Sequence, residues 1–271
     1  EPVVSGFTWS NDFPITPGAY DTTPNITNGW TNYYAGFVSK FNKGGDSLIF
    51  STYLGGDGSD LIHSLILDDS NNIYIAGETR STDFPTTSGC YQSKYGGNST
   101  GGSWWTGGDG FITKMRPDGK SVEFSTYLGS YASDAIYEIA LSSKKEIFVV
   151  GKTASTNFPV TPGARIFNYS VVGPNDGFVC RFSADGKRML YGKLMGGSGE
   201  DWFEGIYVNQ NDEAYIAGIT RSSDFYTTTN AYQRNNKGGA DIVVVKLPSG
   251  GQNVYYSTYL GGSGDELYYS G

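Results

Sequence analysis

Ser51-Thr52-Tyr53-Leu54-Gly55-Gly56 decides the fold, because it recurs. It returns as Ser125 to Ser130 (STYLGS), in diverged form as Gly192 to Gly197 (GKLMGG), and intact as Ser257 to Gly262. A period of roughly 65–75 residues, sought before any single element is assigned, marks a repeat protein. Other blocks keep step with it. Ile73 to Thr79 (IYIAGET) matches Ile147 to Thr153, Ala214 to Thr220 and, trimmed, Pro2 to Thr8. Ser81 to Thr87 (STDFPTT) matches Ser10 to Thr16, Ser155 to Thr161 and Ser222 to Thr228. Asp109 to Lys114 matches Ala35 to Lys40, Asp176 to Arg181 and Asp241 to Lys246.

Alternation and turn punctuation divide each unit into four short strands. In the second unit strand A is expected over Leu61 to Leu67, B over Ile73 to Thr79, C over Gly110 to Met115 and D over Val122 to Leu128. Asp68 to Asn72 and Pro117-Asp118-Gly119 read as the turns, since Asn and Gly accept positive φ at little cost. Four antiparallel strands repeated at this period predict an all-β fold, a β-propeller of four-stranded blades. One domain spans residues 1–271, with units at about 1–56, 57–130, 131–197 and 198–262, and 263–271 starting or closing a blade. The chain starts in a B strand and ends inside an A strand. A closed four-bladed ring and an arc of a larger propeller both fit that phase, and the chain reads as a piece of something longer.

Composition agrees and excludes several classes. Thirty-nine glycines and 21 tyrosines favour short strands with tight turns over helices. A net charge of −8 opposes a nucleic-acid partner. No apolar run approaches the ~20 residues of a spanning helix. Cys90 and Cys180 occupy slots that hold small side chains in the other copies, so packing explains both.

The recurring text, STYLGGxGxD followed by xxNxIYIAGxTxSxDFPTTxGxYQ and DxFVxK, resembles the SBBP-type β-propeller repeat of bacteria and archaea. The resemblance implies a propeller on a secreted or cell-surface protein and no defined catalytic residues. The third unit departs from it at Gly192 to Gly197, and the first carries Ala35 where the others carry Asp.

Function is expected where the copies disagree. The A–B and C–D turns stay short, while the B–C loops carry insertions, and loops on a rigid scaffold are the usual place for binding. Those loops hold Trp30, Tyr33, Tyr34, Tyr95, Trp104, Trp105 and Tyr169. Such rings either stack on a glycan or protein partner or fold back as satellite cores. Asn25, Asn98 and Asn168 open Asn-x-Ser/Thr sequons in the same insertions, which makes them glycosylation candidates. Asp57, Asp60, Asp134, Asp201 and Asp265 lie in or beside the D–A loops. They either converge on Ca²⁺ or hydrogen-bond their own glycine-rich turns. Asp109, Asp176 and Asp241 read as turn anchors at the head of strand C. No cofactor is expected otherwise. His63 is the one histidine, and neither GxSxG nor a P-loop is present. The sequence therefore points to a non-catalytic extracellular or surface module, a binding or adhesion scaffold. A structural spacer is the alternative, and a glycoside-active enzyme the less favoured one.

Overall fold

A computed structural model describes residues 1–24, 33–97, 108–162 and 175–266. Its fifteen strands are β1 (Val3–Thr8), β2 (Ala35–Phe41), β3 (Leu48–Leu54), β4 (Asp60–Leu67), β5 (Ile73–Thr79), β6 (Asp109–Met115), β7 (Val122–Leu128), β8 (Asp134–Leu141), β9 (Ile147–Thr153), β10 (Asp176–Phe182), β11 (Met189–Met195), β12 (Asp201–Val208), β13 (Ala214–Thr220), β14 (Asp241–Leu247) and β15 (Tyr256–Leu260). They form sheets ordered β1-β2-β3, β4-β5-β6-β7, β11-β10-β9-β8 and β12-β13-β14-β15. These are the four expected blades, the first without its A strand among the described residues. The segment expected to supply a closing A strand runs into 267–271, outside the described residues.

Two compact units divide the chain, Glu1–Ile139 and Ala140–Gly271. Each has its own core. In the first, Phe50, Ile62, Ile75, Phe84, Phe111 and Tyr127 are buried together. In the second, Phe148, Val179, Phe203, Phe225, Val243 and Tyr259 play that part. Rings crowd at both places: Phe84 lies 4.5 Å from Phe111, and Phe158 lies 4.6 Å from Phe178.

The turns carry the backbone geometry that their residues predict. Asn71, Lys145 and Asp212 hold positive φ in the A–B turns. Gly119 holds it in a C–D turn, and its bare α-carbon also lies against the Phe50 ring of the first sheet. Gly251 meets Tyr191 in the same way within the second unit. Free edges are managed too. The outer edge of strand D is covered by its own B–C segment. Ser51 O accepts from Thr16 N–H (3.1 Å) and Tyr53 N–H donates to Asp21 O (3.0 Å). Thr87, Ser125, Gln92 and Tyr127 repeat this strap in the second blade, and Thr228, Ser257, Gln233 and Tyr259 in the fourth. The first part of each of these B–C loops is therefore scaffold, and only the remainder is insertion.

Strand A carries a bulge where the register with B shifts, between Ile62 and Ser64 and again between Phe203 and Gly205. The bulge throws His63 outward, edge-on to Tyr137 at 5.4 Å. It also brings the carbonyl of Leu61 onto Gly77, and that of Trp202 onto Gly218, so closely that a Cβ would overlap it. Gly77→Ala and Gly218→Ala are therefore expected to lower unfolding free energy by about 1–3 kcal/mol through overpacking. Gly205, with open space around its α-carbon, is the control. Gly205→Ala should change stability by no more than about 1 kcal/mol, as urea melts of the three variants will show.

Candidate functional site

Strands β4, β8 and β12 each open on a buried carboxylate, and in β4 and β12 it ties the D–A turn to the end of strand B. Asp60, 1% exposed, accepts from Gly56 N–H (2.9 Å), from Ser81 Oγ (2.9 Å) and from Thr79 Oγ1. Asp201, fully buried, accepts from Gly197 N–H and Ser222 Oγ, both at 2.7 Å, and from Thr220 Oγ1. Asp134 accepts from Ser130 N–H at 2.6 Å. Burial pushes Asp60 up to about 7 and Asp201 up to about 6, against the pull of these donors.

The acids expected to converge on calcium are each engaged locally, Asp57 and Asp60 in the same D–A segment. Asp57 accepts from the Thr82 N–H and hydroxyl, and Asp265 from Ala240 N–H at 2.8 Å. Among the described residues no three His, Cys, Asp or Glu side chains converge as a metal set.

A second carboxylate faces the first in three blades. Asp109, Asp176 and Asp241, at the head of strand C, are 0%, 2% and 0% exposed. Asp109 Oδ2 accepts from Gly96 N–H (2.7 Å) and Gln92 Nε2 (3.0 Å), and Asp241 Oδ2 accepts from Gln233 Nε2 (3.0 Å). The Oδ1 atoms of all three are buried without a hydrogen-bond partner. They are turned toward the next strand-A acid across a glycine. A Cβ built on Gly129 would stand 2.6 Å from Asp109 Oδ1 and 2.8 Å from Asp134 Oδ2. Gly196 lies in the same way between Asp176 and Asp201, and Gly261 between Asp241 and Glu266. Two buried charges so placed repel, and one shared proton removes both the repulsion and the orphaned acceptor. Asp109 and Asp176 are accordingly pushed up to about 7, first by burial and then by the neighbouring Asp134 and Asp201.

The first unit breaks this pattern. Ala35 stands where the strand-C acid would be, and Asp21 stands where Gln92 and Gln233 donate in the second and fourth units. The acid has in effect moved from the strand to the B–C strap. A cavity of about 10 Å³, the room of one water, is lined there by Asp21, Tyr34, Ala35, Tyr53 and Asp60.

Beside that cavity stands an exposed aromatic platform. Tyr34 stacks on Trp9 (4.6 Å, 25° between planes) and meets Phe7 edge-on (4.9 Å, 82°). Trp9 is 58% and Phe7 45% exposed. Tyr34 is pinned through its backbone, its carbonyl accepting from Asp60 N–H at 2.8 Å. All three rings are particular to this copy. Glu78, Lys152 and Ile219 hold the slot of Phe7; Arg80, Ala154 and Arg221 that of Trp9; Gly108, Asn175 and Ala240 that of Tyr34.

Of the residues expected to bind, only Tyr34 is placed in this platform; Tyr33 is half-buried beside it in sequence. Tyr95 turns inward, 5.9 Å from Tyr127, and burial pushes its hydroxyl up to about 12. Trp30, Trp104, Trp105 and Tyr169, and the sequon residues Asn25, Asn98 and Asn168, lie outside the described residues. Trp9 and Phe7 are not among the residues that insertion length singles out, although comparing copies at the end of strand B shows them.

The acid pairs fix a pH dependence. A carboxyl raised to about 7 in the folded state, from an ordinary 3.8, binds its proton more tightly folded than unfolded. Its contribution is complete below about pH 4 and is lost as pH rises through about 7. Urea midpoints should therefore rise on acidification from pH 8 to pH 5. Asp176→Asn, which keeps a donor toward Asp201 without the charge, should raise stability at pH 8 and flatten the profile.

No curated protein matches the chain. Residues 49–85 match the family model of the SBBP beta-propeller repeat. That stretch holds most of β3, the D–A turn, β4, β5 and the Asp60–Thr79–Ser81 clasp. The same blocks recur in order along the rest of the sequence, which resembles the matched SBBP beta-propeller repeat beyond residues 49–85.

Proposed function

We propose that this chain is a non-catalytic binding scaffold of a secreted or cell-surface protein, and that it stacks a sugar ring on Phe7, Trp9 and Tyr34. The observation that carries the reading is the exposed three-ring platform, found in one copy of an otherwise repeated blade. Stacked aromatics beside polar groups suit pyranose faces, which offer C–H surface rimmed by hydroxyls. The scaffold supplies rigidity: Tyr34 leads directly into β2, and Phe7 lies within β1.

Binding of this kind needs no catalytic group. The carboxylates raised toward neutrality are the ones that general acid chemistry would call on. They are buried, engaged in turns and repeated from copy to copy, as structural residues are. Stacking also needs no metal.

A glycan array probed with the wild-type chain and with Trp9→Ala is the test. Signals on a defined set of glycans should fall at least about tenfold in the variant, the scale of losing one stacked ring. The melting temperature should stay within about 2 °C, since Trp9 is exposed. An array with no Trp9-dependent signal would sink the glycan reading. Trp9-dependent capture of a protein in its place would make the platform a protein contact.

A further inference from the structure

The platform belongs to a stretch, residues 1–39, whose charged side chains are all acidic. We infer that its ligand carries an ammonium group, so that an amino sugar with an unblocked amine is preferred over neutral, N-acetylated or acidic sugars. This rests on the glycan reading and narrows it.

Three observations support the inference. First, residues 1–39 contain no Lys, Arg or His, while Asp12 and Asp21 lie in that stretch. Both carboxylates are close enough to hold the Tyr53 hydroxyl above its ordinary value, after burial itself. Second, Asp21 lines the small cavity together with Tyr34, and Asp60 closes it from β4. The acid that other copies bury in strand C is here carried on a half-buried strap next to the rings. Third, Trp9 stands where the second and fourth units carry Arg80 and Arg221. The copy has lost its own cation and gained a ring face. Arg80 itself lies toward Gly108, its side-chain carbon 3.5 Å from where a Cβ would be, on the strand-C side of the second blade.

Aromatic faces carry negative potential and attract ammonium groups. Nearby carboxylates add to that attraction, and acidic or strongly hydrated neutral groups gain nothing from it. The rings would therefore stack on the sugar while the amine lies toward Asp21. Asp21 accepts from Thr23 N–H at 2.9 Å through Oδ1, which fixes the direction of its carboxylate.

The test is titration calorimetry of the whole chain with a glucosamine tetramer, its N-acetylated counterpart and a uronic-acid tetramer, at low and at high salt. The glucosamine tetramer should bind about two- to fivefold tighter than the acetylated one, the range of an exposed cation–π contact. The preference should shrink in high salt and in Asp21→Asn, and all binding should drop in Trp9→Ala. Equal or tighter binding of the acetylated or acidic tetramer, still dependent on Trp9, would overturn the charge inference and leave the sugar platform standing. No Trp9-dependent binding of any of the three would overturn both. Circular dichroism melts of Asp21→Asn guard against a folding effect, and Asp12→Asn, which leaves the strap untouched, provides a second variant with the same expected direction.

Discussion

A carboxylate with no exposed surface is costly to keep in a protein unless donors surround it, and this chain places one at the head of each strand A from β4 onward. Asp60 and Asp201 each collect a turn N–H and two hydroxyls from the end of strand B. The consequence is geometric. The clasp fixes where strand D ends, where strand A begins, and how the end of strand B meets both. The bulge farther along strand A sets the Gly77 and Gly218 contacts, and with them the register of the blade. Removing the hydroxyls would leave a buried charge; removing the acid would leave orphaned donors. The threonine and serine two residues apart in ITRS, GETRS and GKTAS belong to this constraint as much as the aspartate does.

That constraint explains how much of the fold could be read from the text. Strands B and D fall in the second unit where alternation places them, Ile73–Thr79 and Val122–Leu128. Strands A and C each begin one residue earlier than expected, on Asp60 and Asp109. An aspartate at a strand boundary reads as turn chemistry, because its side chain competes for backbone N–H groups. Here it does bond the turn, and its own backbone is already in the ladder, pairing with Thr79 in both cases. The assignment of the strand-C acids as turn anchors holds in part: Asp109 accepts from Gly96 N–H, yet its other oxygen faces Asp134. Nothing in linear spacing announces that second neighbour, since the pair forms across a glycine between strands D and A.

The candidate site was less legible, and for a definable reason. Variable loops are the usual place for binding, so aromatics inside insertions draw attention first. Phe7 and Trp9 are not in an insertion; they occupy ordinary repeat positions with unusual residues. A period-by-period comparison exposes them, whereas a search for irregular length does not. Tyr95 illustrates the converse. It lies at the start of an insertion and serves the core of its own blade, against Tyr127.

The two departures of the first unit have one physical origin in common. Gln92 and Gln233 can stand beside Asp109 and Asp241 because an amide donates to a carboxylate. Asp21 cannot donate when ionised, so an aspartate at position 35 would set a third unscreened acid against Asp21 and Asp60. Alanine at 35 relieves that repulsion and leaves the cavity beside Tyr34. A strand-C acid that shares its proton with a neighbour is buried, neutral in part and structural. The strap acid Asp21 is half-buried and lines the cavity together with Tyr34. The exchange of Gln and Asp for Asp and Ala thus replaces a buried acid pair with a half-buried acid on the strap, in the copy whose strand-B end carries Phe7 and Trp9.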